Sequence, residues 1–120
     1  MKLSAFTFLK IMGLSLLLMG TASAMTLREL RQLERTNAKQ GDLYAQYYLI
    51  GVLEGLLEAN TSITRSGGKP LFCQNGRKLE ATQAQTIFNT ERKRNAELYE
   101  ADMPVQLVMI NALASTYTCE

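Results

Sequence analysis

The chain contains no histidine and only two cysteines among its 120 residues. Histidine is the commonest general base and metal ligand, so its absence excludes Ser–His and Cys–His nucleophiles, and two cysteines alone are too few for a structural zinc site. A phosphate-binding loop and a dinucleotide fingerprint are also missing. Glu54 and Glu58 could form a catalytic carboxylate pair, but their helical spacing is more typical of a solvated face. The sequence therefore predicts a protein that is not an enzyme and uses no cofactor or metal.

The chain also has no net charge when the first 24 residues are left out of the count. Lys2 and Lys10 account for two of the 13 basic residues, so the rest of the chain balances 11 basic against 11 acidic residues. A neutral chain lacks the electrostatic attraction to phosphate that drives nucleic-acid binding. We therefore expect no nucleic-acid partner.

The first 24 residues have the three parts of an export signal. Lys2 and Lys10 form a weakly basic start, an apolar run covers residues 11–19, and Ala22-Ser23-Ala24 supplies small residues for a peptidase. The apolar run is much shorter than the ~20 residues that a membrane-spanning helix needs. We expect cleavage after Ala24, a mature domain over residues 25–120 outside the cytoplasm, and no membrane attachment after cleavage.

Both cysteines, Cys73 and Cys119, lie in the part of the chain that is expected to be exported. Disulfides persist in oxidising compartments, and no competing metal ligands are present, so the sequence predicts a Cys73–Cys119 disulfide. A domain of this size has a thin core. A cross-link over such a loop contributes roughly 4 kcal/mol in the chain-entropy model, which is comparable to the net stability of many small domains.

Apolar residues recur at helical spacing along most of the mature chain, which predicts an all-α fold. Thr26 and Glu29 have the form of a capping box and start a helix that ends before Gly41. Asp42 is expected to cap a central helix that runs to about Ala59 and is apolar over more than half of its circumference. The predicted architecture is a small bundle of four or five helices stapled by one disulfide.

Two further helices are predicted in the second half of the chain. Thr82 with Gln85 has the form of a capping box, for a helix whose charged end, Glu91–Arg94, faces outward. This end is interpreted as a solvated helix terminus or, alternatively, as a docking patch for an acidic partner. After an ambiguous stretch, an aspartate and a proline mark the start of a last helix over about residues 103–117.

Gly51 and Gly55 lie inside the predicted central helix, where each costs about 1 kcal/mol relative to alanine. Close approach of another helix would offset this cost, and that helix can belong to the same chain or to a second subunit. Among the nearby tyrosines, Tyr47 has the spacing of the core, so Tyr44 or Tyr48 is expected to point elsewhere and can serve as an interface anchor. The candidate dimer-packing residues are Tyr48, Gly51 and Gly55.

Several of these features occur together in one order: tyrosines and two glycines over residues 47–55, then Phe72-Cys73, then a capped helix, then a final apolar helix ending in Tyr117-Thr118-Cys119. In this arrangement the chain resembles the resistance-associated (Rap-type) immunity proteins of bacterial type VI secretion systems. The similarity extends from about Asp42 to Cys119. It implies a small helical periplasmic protein, usually dimeric, that binds a cell-wall-cleaving amidase effector and occludes its active site.

If the protein blocks an amidase, it needs an element that can enter a cleft. The periodicity stops between residues 60 and 78, and the stretch 66–70, Ser-Gly-Gly-Lys-Pro, breaks any regular element, so a long loop is predicted there. This loop is interpreted as a binding element or, alternatively, as a flexible connector. Its candidate partner-binding residues are Ile63, Arg65, Lys69 and Leu71.

A second function class fits the same features. The chain also resembles the periplasmic acid-stress chaperones of the Hde type, which are small, exported, helical and held by one disulfide. Its balanced charge would become strongly cationic at low pH, which favours dissociation. An adjacent amidase gene would favour immunity, whereas an acid-response gene cluster would favour the chaperone.

Overall fold

The computed structural model describes residues 23–120, so the predicted export signal lies outside the described residues apart from Ser23 and Ala24. This part of the chain folds into four α-helices without a strand, and short 3₁₀ turns precede the third helix and follow it. The predicted all-α bundle is confirmed. In chain order the helices are α1 (Leu27–Thr36), α2 (Gln40–Arg65), α3 (Ala84–Arg94) and α4 (Val105–Thr116).

The helix α2 is the central element, and α1, α3 and α4 all pack against it. Its buried residues, Gly41, Ala45, Leu49 and Leu53, recur every four positions and therefore form one stripe along the helix. Helical periodicity predicts inward positions for Ala84, Ile87 and Phe88 in α3 and an apolar face of Val105, Val108, Met109, Ala112 and Leu113 in α4, and all of them are buried except Ile87, which is half-buried. The remaining core residues are Leu27, Leu30, Phe72, Ala84, Phe88, Val105, Val108, Met109, Leu113 and Tyr117.

The capping box predicted at the start of α1 is present. The backbone N–H of Glu29 donates to Thr26 Oγ1 at 3.2 Å, and the backbone N–H of Thr26 donates to Glu29 Oε2 at 2.7 Å. The next residue, Leu27, donates its N–H to the Met103 carbonyl oxygen at 3.0 Å. The start of α1 is therefore fastened to the chain that leads into α4.

The turn from α1 to α2 depends on Gly41. A Cβ atom added at Gly41 would lie 2.2 Å from the Leu33 carbonyl oxygen and 3.1 Å from that of Glu34. Because both atoms belong to the backbone of α1, any side chain here would push the two helices apart. The prediction that Asp42 caps α2 is wrong, since the helix begins at Gln40 and Asp42 lies in its first turn.

The far end of α2 corrects the predicted loop boundary, because the helix continues to Arg65 rather than ending at about Ala59. Gly68 donates its N–H to the Ile63 carbonyl oxygen at 2.9 Å, and Gly67, with a φ of 79°, donates to that of Thr64 at 3.0 Å. These two bonds form a Schellman motif. The glycine pair is therefore the stop signal of α2.

The start of α3 also differs from the expectation. The backbone N–H of Glu80 donates to Gln83 Oε1 at 2.8 Å, so the side chain that reaches back to the helix start is Gln83. The predicted capping pair of Thr82 and Gln85 is wrong. Instead, Gln85 Nε2 donates to Asp42 Oδ1 at 3.0 Å and links α3 to α2.

The predicted disulfide is confirmed. Cys73 and Cys119 are joined with their Cα atoms 4.9 Å apart. Beside the cross-link, the backbone N–H of Cys73 donates to the Tyr117 carbonyl oxygen at 2.7 Å. The segment that returns from α2 is thereby attached to the end of α4.

Among residues 23–120, no helix is both long and apolar enough to span a membrane.

Candidate interaction surfaces

One side of α2 forms a shallow groove with a volume of about 510 Å³. Apolar and aromatic side chains make up most of its wall, and the two helix glycines lie on its floor. We term it the Tyr–Gly groove. It is lined by Tyr47, Tyr48, Gly51, Val52, Gly55, Leu56 and Gln106.

The two glycines face open space. A Cβ atom added at Gly51 or at Gly55 would meet no atom within 4 Å other than those of its chain neighbours and of the adjacent backbone of α2 itself. The interpretation that another helix of the same chain packs across them is therefore wrong for the part of the chain that the structure describes. Packing against a second molecule stays a prediction.

The tyrosines beside the glycines differ from the expectation. Tyr47 is 64% exposed and Tyr44 is 55% exposed, whereas Tyr48 is half-buried and packs against the core. The core stripe of α2 includes Leu49, and a residue two positions earlier lies about 200° around the helix. Tyr47 therefore points away from the core, and the prediction that it is a core residue is wrong.

Gln106 on α4 was not singled out by sequence reasoning, because no motif marks it. Its Nε2 donates to the Tyr48 hydroxyl at 2.9 Å and holds that ring at the edge of the groove. Its Oε1 is buried and has no hydrogen-bond partner among the described residues. The groove is thus an apolar surface with a fixed aromatic side chain.

The predicted partner-binding residues lie together at the end of α2, in a segment that we term the α2 tip (residues 60–71). Ile63 is half-buried, Arg65 and Lys69 are exposed, and Leu71 is 42% exposed. No residue between positions 58 and 71 is buried. The α2 tip therefore extends beyond the core.

Asn60 holds the α2 tip in one conformation. Its Oδ1 accepts from the backbone N–H of Leu71 at 2.7 Å and of Phe72 at 3.4 Å, and its Nδ2 donates to the Phe72 carbonyl oxygen at 2.9 Å. The Schellman motif fixes the turn between these contacts. The segment thus consists of the last turns of α2 followed by a hydrogen-bonded turn. Sequence reasoning missed Asn60, because it was assigned to a loop.

The sequence of the α2 tip is rich in positive charge, since no acidic residue occurs between Glu58 and Glu80. In space, Glu120 follows Cys119, whose Sγ lies 4.0 Å from the Pro70 carbonyl oxygen. Arg77 stacks over the Tyr117 ring at 4.5 Å from its centroid and keeps its charge near the disulfide. Arg65 lines a cleft of about 430 Å³ between the end of α2 and the returning segment. The cations in this stretch are Arg65, Lys69, Arg77 and Lys78, and Lys78 forms an ion pair with Glu80.

The outward orientation predicted for Glu91 is wrong. Glu91 is 5% exposed, and its carboxylate accepts hydrogen bonds from Tyr99 Oη at 2.6 Å, Asn95 Nδ2 at 2.8 Å and Ser115 Oγ at 3.4 Å. Burial acts to raise the pKa of Glu91, but these three donors and the charge of Arg94 outweigh it and leave the pKa lowered. Glu91 therefore joins α3, α4 and the connection between them.

Replacing Glu91 with glutamine is expected to lower the free energy of unfolding at neutral pH by about 1–3 kcal/mol, because one acceptor oxygen and the negative charge that strengthens the buried hydrogen bonds are lost. In the wild type, the lowered pKa means that this contribution is present above the ordinary glutamate pKa and is lost as the pH falls through the folded-state pKa. Urea unfolding across this acidic range measures both effects. A Glu91→Gln variant with the stability and pH profile of the wild type would contradict the assignment. Glu97→Gln, at an exposed position of the same connection, is the control.

The remaining carboxylates of residues 23–120 are not grouped as metal ligands. Glu54 and Glu58 are both exposed, and within residues 23–120 no group of three or more His, Cys, Asp or Glu side chains is placed to hold a metal ion.

Comparisons with protein-family models, with curated proteins and with solved structures find no match to this chain. The geometry of the surfaces is therefore the basis for a functional proposal.

Proposed function

We propose that this protein is a periplasmic immunity protein of the Rap type, which binds a peptidoglycan amidase effector of a type VI secretion system and occludes its active site. The observation that carries the proposal is the α2 tip. It is exposed, positively charged and held by hydrogen bonds at the end of a 26-residue helix. Such an element can enter a cleft without losing much conformational freedom.

Occlusion requires shape and a few strong contacts, and no chemistry on the part of the inhibitor. Arg65 can donate several hydrogen bonds to carbonyl or carboxylate oxygens of an active-site cleft. Leu71, which is 42% exposed, offers apolar surface beside it. The Asn60 hydrogen bonds and the disulfide fix the distance between these two parts of the tip, so the free protein already has the geometry that binding needs.

The double substitution Arg65→Ala, Lys69→Ala is expected to weaken binding of the cognate amidase by about 30-fold, because it removes both cations of the tip. Co-expression of this variant with the amidase in the periplasm should restore toxicity. Both side chains are exposed, so the melting temperature should stay that of the wild type.

The matched control is Lys93→Ala, which removes an exposed cation from α3 and keeps Arg94, whose charge lowers the pKa of Glu91. This control should still protect the cell. Full protection and unchanged affinity of the tip variant, combined with loss of protection by the α3 variant, would move the binding site to residues 83–94.

We also propose that the Tyr–Gly groove is the contact between two copies of the protein. Two glycines without a neighbouring atom within 4 Å allow a second helix to approach the α2 backbone closely. Exposed Tyr44 and Tyr47 on the same helix supply rigid aromatic contact area at the border of such an interface. A homodimer would cover the groove and present two α2 tips.

Sedimentation of the mature protein at micromolar concentration is expected to give about twice the mass of one chain. Gly51→Leu should shift the protein to monomer, because the added side chain fills the floor of the groove while leaving the core of the subunit intact. Ala59→Leu, at an exposed position of α2 outside the groove, should leave the dimer unchanged. A wild-type protein that is monomeric throughout this range would refute the dimer.

The second candidate function is an acid-stress chaperone of the Hde type, and the Tyr–Gly groove is the observation that favours it. An apolar groove that becomes free when a dimer dissociates could bind unfolded clients. Light scattering of an acid-denatured client tests this candidate directly. Suppression of aggregation that is lost in Gly51→Leu would favour the chaperone over the immunity protein.

A further inference from the structure

The exposed face of α1 carries a surface that the proposed function does not use. Arg28, Arg31 and Arg35 follow one another at spacings of three and four residues and therefore lie along one side of the helix. With neighbouring polar groups they line a concave surface of about 610 Å³, which we term the α1 arginine groove. It shares no residue with the Tyr–Gly groove or the α2 tip. Its other lining residues are Gln32, Thr36 and Ala101.

The charges of this groove are not neutralised within residues 23–120, where the ion pair within 4.0 Å is Lys78–Glu80. Glu29 lies between two of the arginines in sequence, but its carboxylate is turned back to Thr26, from which it accepts two hydrogen bonds. Glu100 and Asp102 flank Ala101 at one rim, yet neither comes within 4.0 Å of an arginine nitrogen. The three guanidinium groups thus face solvent.

The electrostatics of α1 itself disfavour this arrangement. Like charges three and four positions apart on a helix repel one another. Arg28 in addition lies in the first turn, where the positive end of the helix dipole disfavours a cation. Arg35 lies in the last turn, where the dipole favours a cation, so the unfavourable contacts with the helix dipole concern Arg28. A bound anion would add an attraction to each of the three guanidinium groups and so offset their mutual repulsion.

We propose that the α1 arginine groove binds a ligand that carries two or more phosphate groups. A guanidinium presents a planar fork of N–H donors that matches the oxygens of a phosphate, and it stays charged at every physiological pH. From Arg28 to Arg35 the helix rises about 10 Å, which is further than one phosphate can bridge. Soluble phosphorylated compounds and the headgroups of anionic lipids both offer this chemistry.

Titration of the mature protein with inorganic pyrophosphate at low ionic strength tests the site, with nitrogen–proton NMR signals as the readout. The largest saturable shifts are expected in residues 28–36, including the arginine side-chain N–H signals. Arg31→Gln should weaken binding at least tenfold, and Arg31→Lys should also weaken it, because lysine lacks the planar fork. Arg92→Gln on α3 is the matched control and should change the affinity less than twofold.

Vesicles that contain phosphatidylglycerol distinguish a lipid headgroup from a soluble phosphorylated compound as the ligand. Co-sedimentation with these vesicles that pyrophosphate competes away would assign the groove to lipid headgroups, and pyrophosphate binding without vesicle binding would assign it to a soluble phosphorylated ligand. The proposal is overturned if pyrophosphate causes no saturable shift in α1, or if Arg31→Gln and Arg92→Gln weaken binding equally. It is also overturned if a polyglutamate peptide binds the groove and pyrophosphate does not.

Discussion

Replacing Cys119 with serine is expected to lower the free energy of unfolding of the domain over residues 25–120 by roughly 4 kcal/mol. The disulfide joins residues 46 positions apart. In the chain-entropy model, a cross-link over such a loop lowers the conformational entropy of the unfolded chain, which corresponds to about 4 kcal/mol of stability. Small domains are stable by only about 5–15 kcal/mol. The variant should therefore be close to unfolding at physiological temperature.

The cross-link also has a local role, because it fixes the base of the α2 tip. Without it, the segment around Cys73 keeps the hydrogen bonds from the Asn60 side chain to the backbone and the hydrogen bond to Tyr117. It loses its covalent attachment to the end of α4. Urea unfolding of the wild type, of Cys119→Ser, of Cys73→Ser and of the double serine variant measures the effect. All variants should match the reduced wild type. A wild type whose stability does not change on reduction would contradict the prediction.

Replacing Gly41 with alanine is expected to lower the free energy of unfolding by about 3 kcal/mol. The added Cβ would lie 2.2 Å from the Leu33 carbonyl oxygen, and a backbone atom cannot move aside as a flexible side chain does. The helices α1 and α2 would have to separate. The gain in helix propensity of about 1 kcal/mol from glycine to alanine is too small to offset this.

Gly51→Ala is the matched control for Gly41→Ala, since both glycines belong to α2 and receive the same side chain. At Gly51 the new methyl group meets no atom within 4 Å, so the stability of the subunit should rise by up to about 1 kcal/mol. Thermal unfolding of the two variants at a concentration where both are monomeric compares them directly. Equal destabilisation at the two positions would show that Gly41 is not a site of close helix packing.

The positions at which sequence and structure agree share a physical cause, which is that the signal is local. The Thr26–Glu29 capping box requires only residues three positions apart, and the apolar face of α4 follows from helical periodicity. The disulfide was predictable because two cysteines without competing ligands have one possible pairing. The all-α class can therefore be predicted without knowing which helices contact one another.

The α2 tip was predicted in part. Its four candidate contact residues do come together, since they are close in sequence, but its conformation depends on more distant pairs. The hydroxyls of Thr61 and Thr64 donate to carbonyl oxygens four residues earlier, which is compatible with a helix that lacks apolar periodicity. Asn60 then pairs with the backbone of Leu71, eleven positions away. The spacing of apolar residues predicts neither the threonine hydrogen bonds nor the contact between Asn60 and Leu71.

By itself the sequence determined the helical class, the start of α1, the apolar face of α4 and the single cross-link. Only the tertiary structure decided which glycine permits close packing, which tyrosine is exposed and whether Glu91 is buried. Spacing along one helix defines a face but not what lies opposite it. Gly41 faces the backbone of α1, Gly51 faces open space, and Glu91 faces the donors of α4 and its connection, because burial depends on the elements that pack nearby.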